Sequence, residues 1–131
     1  MTSLIGIGVD IEQVSRFVRV LSDEALRKKM FTQNEIAYCL AQGAPQQHFA
    51  VRFAAKEAVF KALSSRPEFH RLSHGYIEIE HAEYGAPCVS LLSPFGSDNL
   101  RIELSLSHSG EYVVAMVLAQ KEDVAIVETS L

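Results

Sequence analysis

Two carboxylates, Asp10 and Glu57, and four basic side chains, Arg52, Lys56, Lys61 and His108, stand where chemistry could use them. Two hard carboxylates that leave coordination positions open to water and ligand oxygens are the usual way to hold magnesium. Cations gathered around such an ion would meet the phosphates it bridges. A site of that kind works by charge neutralisation and alignment. The run Arg52-Phe53-Ala54-Ala55-Lys56-Glu57-Ala58-Val59-Phe60-Lys61-Ala62-Leu63 sharpens the case. Wound at about 100° per residue, Phe49, Phe53, Phe60 and Leu63 form a bulky stripe, and Ala50, Ala54, Ala58 and Ala62 a small one. A helix with both stripes is packed on more than one side. Lys56 falls inside the bulky stripe, and Glu57 and Lys61 fall in the seam between the two. Charges there are expensive unless paired; a metal ion for Glu57 and phosphates for the cations would pair them.

Each of these residues also has a plainer reading. Asp10 can cap the helix that follows it. Glu57 and Lys61, four apart in the favourable order, can be a surface pair worth about 0.3–0.5 kcal/mol. A histidine beside a turn, such as His108, is often structural, and Arg16 and Arg19 can be a solvated helix face. Ser107 and Ser109 lack the Gly-x-Ser-x-Gly elbow of a nucleophile. Gly6-Ile7-Gly8 is two glycines in a strand and not a dinucleotide or Walker loop. Composition and spacing stop at a candidate metal–phosphate site.

The elements that must position these residues are legible in outline. Leu4 to Ile11 is almost continuously apolar and reads as a buried strand, whose Gly6 and Gly8 let another backbone or a ligand come close. Asp10 lies near its end. Val14 to Leu21 has helical spacing. Ser22 is expected to cap a second helix ending near Met30, and Thr32-Gln33-Asn34-Glu35 matches a capping box opening a third to about Leu40. A loop over Gln42 to Gln47 precedes the long helix, Phe49 to Leu63. Ser64 to Gly75 has no period and reads as an exposed connection. Strands are expected at Tyr76–Glu80, Cys88–Leu92, Arg101–Leu106 and Tyr112–Ala119, with turns at Tyr84–Pro87 and Ser109–Gly110 and a loop or short helix around Pro94 to Asn99. Helices early and an antiparallel sheet late, joined by the first strand, make an α+β fold with a long buried helix on the sheet.

At 131 residues one domain over 1–131 is the simplest organisation. A hydrophobic fraction of 48% is ordinary for a globular protein, and no apolar run approaches the roughly 18 residues that span a bilayer. No secretory signal is expected, and Cys39 and Cys88 suggest neither a disulfide framework nor a zinc site; the expectation is a cytoplasmic protein. A net charge of −4 argues against a nucleic-acid binder. Five of the twelve Lys and Arg nonetheless lie between Arg16 and Lys29, which makes that region locally basic and suits an acidic protein partner.

Taken in order, four segments resemble the holo-acyl-carrier-protein synthase family, the small 4′-phosphopantetheinyl transferases. They are Gly6-Ile7-Gly8-Val9-Asp10-Ile11, Arg52-Phe53-Ala54-Ala55-Lys56-Glu57-Ala58 with Lys61, Gly85-Ala86-Pro87, and Ser105-Leu106-Ser107-His108-Ser109. The resemblance covers most of the chain. It implies transfer of the 4′-phosphopantetheine arm of coenzyme A to a serine of apo acyl carrier protein, dependent on Mg²⁺, releasing adenosine 3′,5′-bisphosphate and supporting fatty acid biosynthesis. Asp10 and Glu57 would be the metal ligands, and Asp10, Glu57 and Lys61 the catalytic set. Arg52, Lys56, Lys61, Gly85, Pro87, His108 and Ser109 would hold coenzyme A. The serine proton would pass to Glu57 or to a metal-bound water. Arg16 and Arg19, with Arg27 to Lys29, would dock the acidic carrier protein, without nucleic acid or membrane. The resemblance also implies a homotrimer with sites between subunits, Asp10 and Glu57 facing His108 and the Gly85 turn of a neighbour. Where the family carries a second acidic residue three positions after the strand aspartate, this chain has Gln13, and Glu12 comes one residue early. Ser64-Ser65-Arg66-Pro67 replaces the family's glycine-rich turn, which leaves room for a relative serving a polyketide or specialised lipid pathway. A module that binds coenzyme A or carrier protein without transfer is the non-enzymatic alternative.

Overall fold

The computed structural model of the protein describes residues 1–81 and 85–122, so Tyr84 of the expected turn and the tail beyond residue 122 lie outside the described residues. Strand β1 (Thr2–Gln13) runs antiparallel to β5 (Tyr112–Glu122), and β5 pairs on its other side with β4 (Leu100–Ser109). Strands β2 (Ile77–His81) and β3 (Pro87–Leu91) form a separate antiparallel hairpin. The expected strands are therefore all present, but their ladders make two sheets where one was anticipated. Between β1 and β2 come a 3₁₀ turn (Val14–Phe17) and helices α1 (Val18–Ser22), α2 (Glu24–Met30), α3 (Gln33–Leu40) and α4 (Pro45–Leu63).

Helix α4 is the hub. It packs on β1 and β5 through its alanines: Ala50, Ala54, Ala55, Ala58 and Ala62 are all buried, as are Val113, Ala115, Val117 and Ala119 of β5. The helix starts at Pro45, earlier than expected, because proline suits the first helical turn, where its missing N–H costs nothing. Gln42 to Gln47 is thus a loop only in its first half. Helix α2 is capped by Asp23 and not by Ser22; the Asp23 carboxylate accepts the Leu26 N–H at 3.0 Å. Helix α3 opens with the expected capping box, in which Thr32 and Glu35 bond each other's amides. Val14 to Leu21 is not one helix but a 3₁₀ turn running into α1.

Two further expectations are corrected. The 64–75 connection is not simply exposed: 3₁₀ turns at Pro67–Phe69 and His74–Tyr76 bury Phe69 and Leu72. Strand β1 is not buried on both faces. Gly6 and Gly8 face α4, whereas Ile7, Val9 and Ile11 are exposed beside Met116 and Tyr112 of β5. A contiguous apolar face of this kind marks an interaction surface.

Candidate functional site

Side chains alternate along a strand, so Gly6, Gly8, Asp10 and Glu12 share the face of β1 turned to α4. A Cβ at Gly8 would fall 1.7 Å from the Ala58 carbonyl oxygen, and one at Gly6 would fall 2.0 Å from that of Ala62. Only glycine admits so close an approach of helix to strand. Advancing along β1 from Gly6 to Gly8 moves back along α4 from Ala62 to Ala58, so helix and strand run in opposite directions where they touch. The long Lys61 side chain ties Asp10 to the helix: its ammonium donates to Asp10 Oδ1 at 3.1 Å and to the Val9 carbonyl at 2.9 Å. Glu57 turns instead to His74, whose Nε2 lies 2.8 Å from Glu57 Oε1. The plain surface pair between Glu57 and Lys61 is therefore not formed. Nor does Asp10 cap a helix, since β1 continues three residues past it.

Glu12, two residues on, faces the same way. Burial first, then the adjoining Asp10 and the charge of Glu57, push its carboxyl up to about 7, against the opposing pull of Arg16. Three carboxylates thus lie near one another beside α4, with Lys61 on Asp10 and Arg16 near Glu12 as their neighbouring cations. Asp10 Oδ2 is buried and without a hydrogen-bond partner among the described residues. A buried carboxylate oxygen without a partner, in a cluster of carboxylates, is the kind of group a small, hard divalent cation would take, and Asp10 and Glu57 are the residues that would hold magnesium here. The cluster does not, however, contain a ready-made set of three converging ligands among the described residues. Water and substrate oxygens would have to complete the shell.

Arg52 lies about 140° further round α4 from Glu57, in a second polar cluster. Its Nη1 reaches the His48 carbonyl at 3.4 Å and its Nη2 reaches His81 Nδ1 at 3.1 Å; the guanidinium sits 4.2 Å over the Tyr38 ring. Its Nε is buried without a hydrogen-bond partner among the described residues. Burial, and then the Arg52 charge, hold the His81 imidazole below its ordinary pKa, which keeps it a neutral acceptor for the guanidinium. A cavity of about 270 Å³ opens here, lined by Asn34, Tyr38, Arg52, Glu78 and His81 among others. His81 pairs with Pro87 across the hairpin, and Gly85 just before it has φ +81°, a conformation that favours glycine. The structure therefore joins Arg52 to the Gly85–Pro87 turn and separates both from Asp10.

His108 stands in a row with Val113 and Glu12 across the sheet, two strand spacings or roughly 10 Å from Glu12. Its side chain is on the α4 side. Ser109, the next residue, points to the other face, so one chain does not present both to the same ligand. Arg16 and Arg19 are exposed and line a groove of about 240 Å³ that also includes Glu12, Met30 and Phe53; the basic surface abuts the acidic cluster.

Two site assignments from sequence are corrected. Lys56 is fully buried: it forms an ion pair with Glu35 and donates to the carbonyls of Met30 at 3.1 Å and His74 at 2.9 Å. Its three ammonium protons are taken up inside the protein, so it has none for a phosphate of coenzyme A. Arg27 is not a free docking cation either, because its Nη1 caps α1 through the carbonyls of Val20 and Leu21. Sequence reasoning missed Glu12, His74 and His81 as site residues. Glu12 was within reach, since two strand residues after Asp10 must share its face; His74, in a stretch without period, gave no signal.

The chain matches the family model of the 4′-phosphopantetheinyl transferase superfamily over residues 6–117. It is 39% identical over 123 residues to the holo-[acyl-carrier-protein] synthase of Geotalea daltonii, covering 88% of this chain and 98% of that one. With the protein of the same name from Chlorobaculum tepidum it shares 43% over 115 residues, 86% and 95% of the two chains. A crystal structure of the Bacillus anthracis holo-(acyl-carrier-protein) synthase in complex with CoA (3′,5′-ADP) superposes with a TM-score of 0.75 at 29% identity, covering 91% and 98%. The Plasmodium yoelii holo-ACP-synthase superposes at 0.74 with 30% identity, covering 94% and 99%.

Proposed function

The chain belongs to the 4′-phosphopantetheinyl transferase superfamily and is an enzyme of the holo-acyl-carrier-protein synthase kind, and from that premise we propose that it moves the 4′-phosphopantetheine arm of coenzyme A onto a serine of an apo acyl carrier protein. The serine oxygen forms a bond to the β-phosphorus as the bond to the departing adenosine 3′,5′-bisphosphate breaks. The serine proton leaves to a carboxylate of the Asp10–Glu12–Glu57 cluster. A magnesium ion held by Asp10 and Glu57 would neutralise charge on the diphosphate. Lys61 fixes Asp10 through Oδ1 and leaves Oδ2 for that ion.

The observation that supports this reading is the glycine-mediated seating of α4 on β1, with Lys61 bonded to Asp10 and Glu57 near enough to raise the Glu12 carboxyl. Arg52 and the Gly85–Pro87 turn form the binding region for the adenosine end, with His108 of one copy and Ser109 of another as further contacts. Because these lie away from Asp10 within one chain, the complete site is built between copies. The exposed apolar face of Ile7, Val9, Ile11 and Met116 supplies the surface for a homotrimer. Arg16 and Arg19 take the acidic carrier protein beside the carboxylate cluster. The protein works as one domain over 1–131 in the cytoplasm, serving fatty acid biosynthesis.

Incubation with apo acyl carrier protein, coenzyme A and Mg²⁺ tests the proposal by the carrier's mass. Gain of a phosphopantetheine is expected, lost with EDTA and lost in Asp10→Asn and Glu57→Gln variants that still fold. Coenzyme A binding without any mass gain would leave only the inert-module alternative.

A further inference from the structure

Phe53, Glu57 and Phe60, spaced i, i+4 and i+7, share one face of α4, and the ring of His74 lies across it. The imidazole is nearly parallel to Phe53, at 5.3 Å and 17°, and to Phe60, at 6.5 Å and 13°. Its backbone is held as well: the buried Lys56 ammonium donates to the His74 carbonyl, and the Tyr76 N–H bonds the Ser73 carbonyl at 3.0 Å. Ring faces and main chain are thus both occupied by packing, and the nitrogen edge is directed at Glu57 Oε1. In this contact the carboxylate oxygen is the acceptor when Nε2 carries the ring proton.

We propose that His74 is a positioning residue for Glu57: it ties down Oε1 and leaves Oε2 aimed at the divalent cation shared with Asp10. The inference rests on the metal reading given above and adds a residue to it. A glutamate carboxylate about a quarter exposed on a flexible stem would otherwise spread over several rotamers. Partners that orient a ligating carboxylate typically change metal affinity by 10–100-fold. Lys56 enters the same chain of support, because its buried ammonium anchors the turn from which His74 projects.

Two substitutions separate the hydrogen bond from the stacking. His74→Phe keeps a flat ring between the phenylalanines and removes the donor; His74→Gln keeps a donor and removes the ring. Binding of Mn²⁺ to the protein without coenzyme A is followed by the electron paramagnetic resonance of the free ion, with melting temperatures as a check on folding. His74→Phe should bind about tenfold more weakly than wild type with its melting temperature unchanged, and His74→Gln should recover most of that loss. Equal affinity in wild type and His74→Phe would overturn the assignment, as would equal weakening in both variants. A wild-type protein that binds no Mn²⁺ would instead overturn the metal reading itself, and this assignment with it.

Discussion

Lys56→Met asks whether the buried cation of α4 serves the substrate or the fold. Methionine has nearly the length of lysine and helical propensity to match, so the change is chiefly loss of the ammonium. Burial alone pulls the Lys56 pKa down, and the Glu35 carboxylate opposes that pull; the charge is kept inside by its partner. Removing it leaves Glu35 buried with, among the described residues, the Thr32 N–H at 2.8 Å and the Ile79 N–H at 2.9 Å as its remaining donors. Breaking a fully buried pair from one side costs about 3–5 kcal/mol. Against a total stability of about 5–15 kcal/mol, that lowers the melting temperature by roughly 10–20 °C. Urea unfolding followed by far-ultraviolet circular dichroism measures the loss. Steady-state kinetics, at a temperature where the variant is folded, should show the KM for coenzyme A nearly unchanged. Glu35→Gln combined with Lys56→Met should recover part of the stability, because no uncompensated charge remains. Stability within about 1 kcal/mol of wild type, with the KM for coenzyme A raised about tenfold, would refute the argument and return Lys56 to the phosphates.

Gly8→Ala drives a methyl into the Ala58 carbonyl oxygen, where neither backbone can yield; a loss of about 3 kcal/mol or failure to accumulate folded protein is expected, read by denaturant unfolding. Arg16→Glu should raise the KM for carrier protein far more than that for coenzyme A, and added salt should weaken carrier binding to the wild type more than to the variant. The Glu12 carboxyl titrates near 7 when folded and near 4.5 otherwise, so the folded state binds its proton more tightly and stability falls as pH rises between those values. Glu12→Gln should accordingly melt higher than wild type at pH 8 in EDTA and equally at pH 4; a difference that persists at pH 4 would mean that packing, not charge, is responsible.

Local signals in the sequence translated directly into structure. The Thr32–Glu35 capping box formed because both partners lie within one helical turn. Gly6 and Gly8 announced a close backbone approach, and the backbone proved to be that of α4. What stayed hidden depended on long-range pairing. The cost of burying Lys56 was readable from its place in the phenylalanine stripe, but the pairing group is Glu35, on another helix, and not a ligand. Period alone could not tell a strand buried on both faces from β1, whose outer face is apolar yet exposed in the single chain. His74 sits in an aperiodic stretch, and its value comes from where α4 presents Phe53 and Phe60.

The Arg52–Ala58 run is best understood as a packing solution that leaves one carboxylate to spare. Ala54, Ala55 and Ala58 are small so that α4 can press on the sheet, and Lys56 staples α2, α3 and the 74–76 turn to the helix. Phe53 seats the imidazole, and Arg52 gathers Tyr38 and His81 on the opposite flank. Of the charged residues in the run, Lys56 and Arg52 are buried and engaged, while Glu57 remains partly open to solvent beside an aspartate with an unpartnered oxygen. That arrangement puts the proposed reactive end of the site on the β1 side of α4 and the Gly85–Pro87 turn on the other. On the proposed reading, one extended ligand would be closed over by more than one copy. The apolar face of β1 and β5 gives a physical reason for copies to associate, and a charge placed there, as in Val9→Glu, should abolish both assembly and transfer while the monomer keeps its circular dichroism. Monomers of that variant with full transfer activity would show instead that one chain is enough.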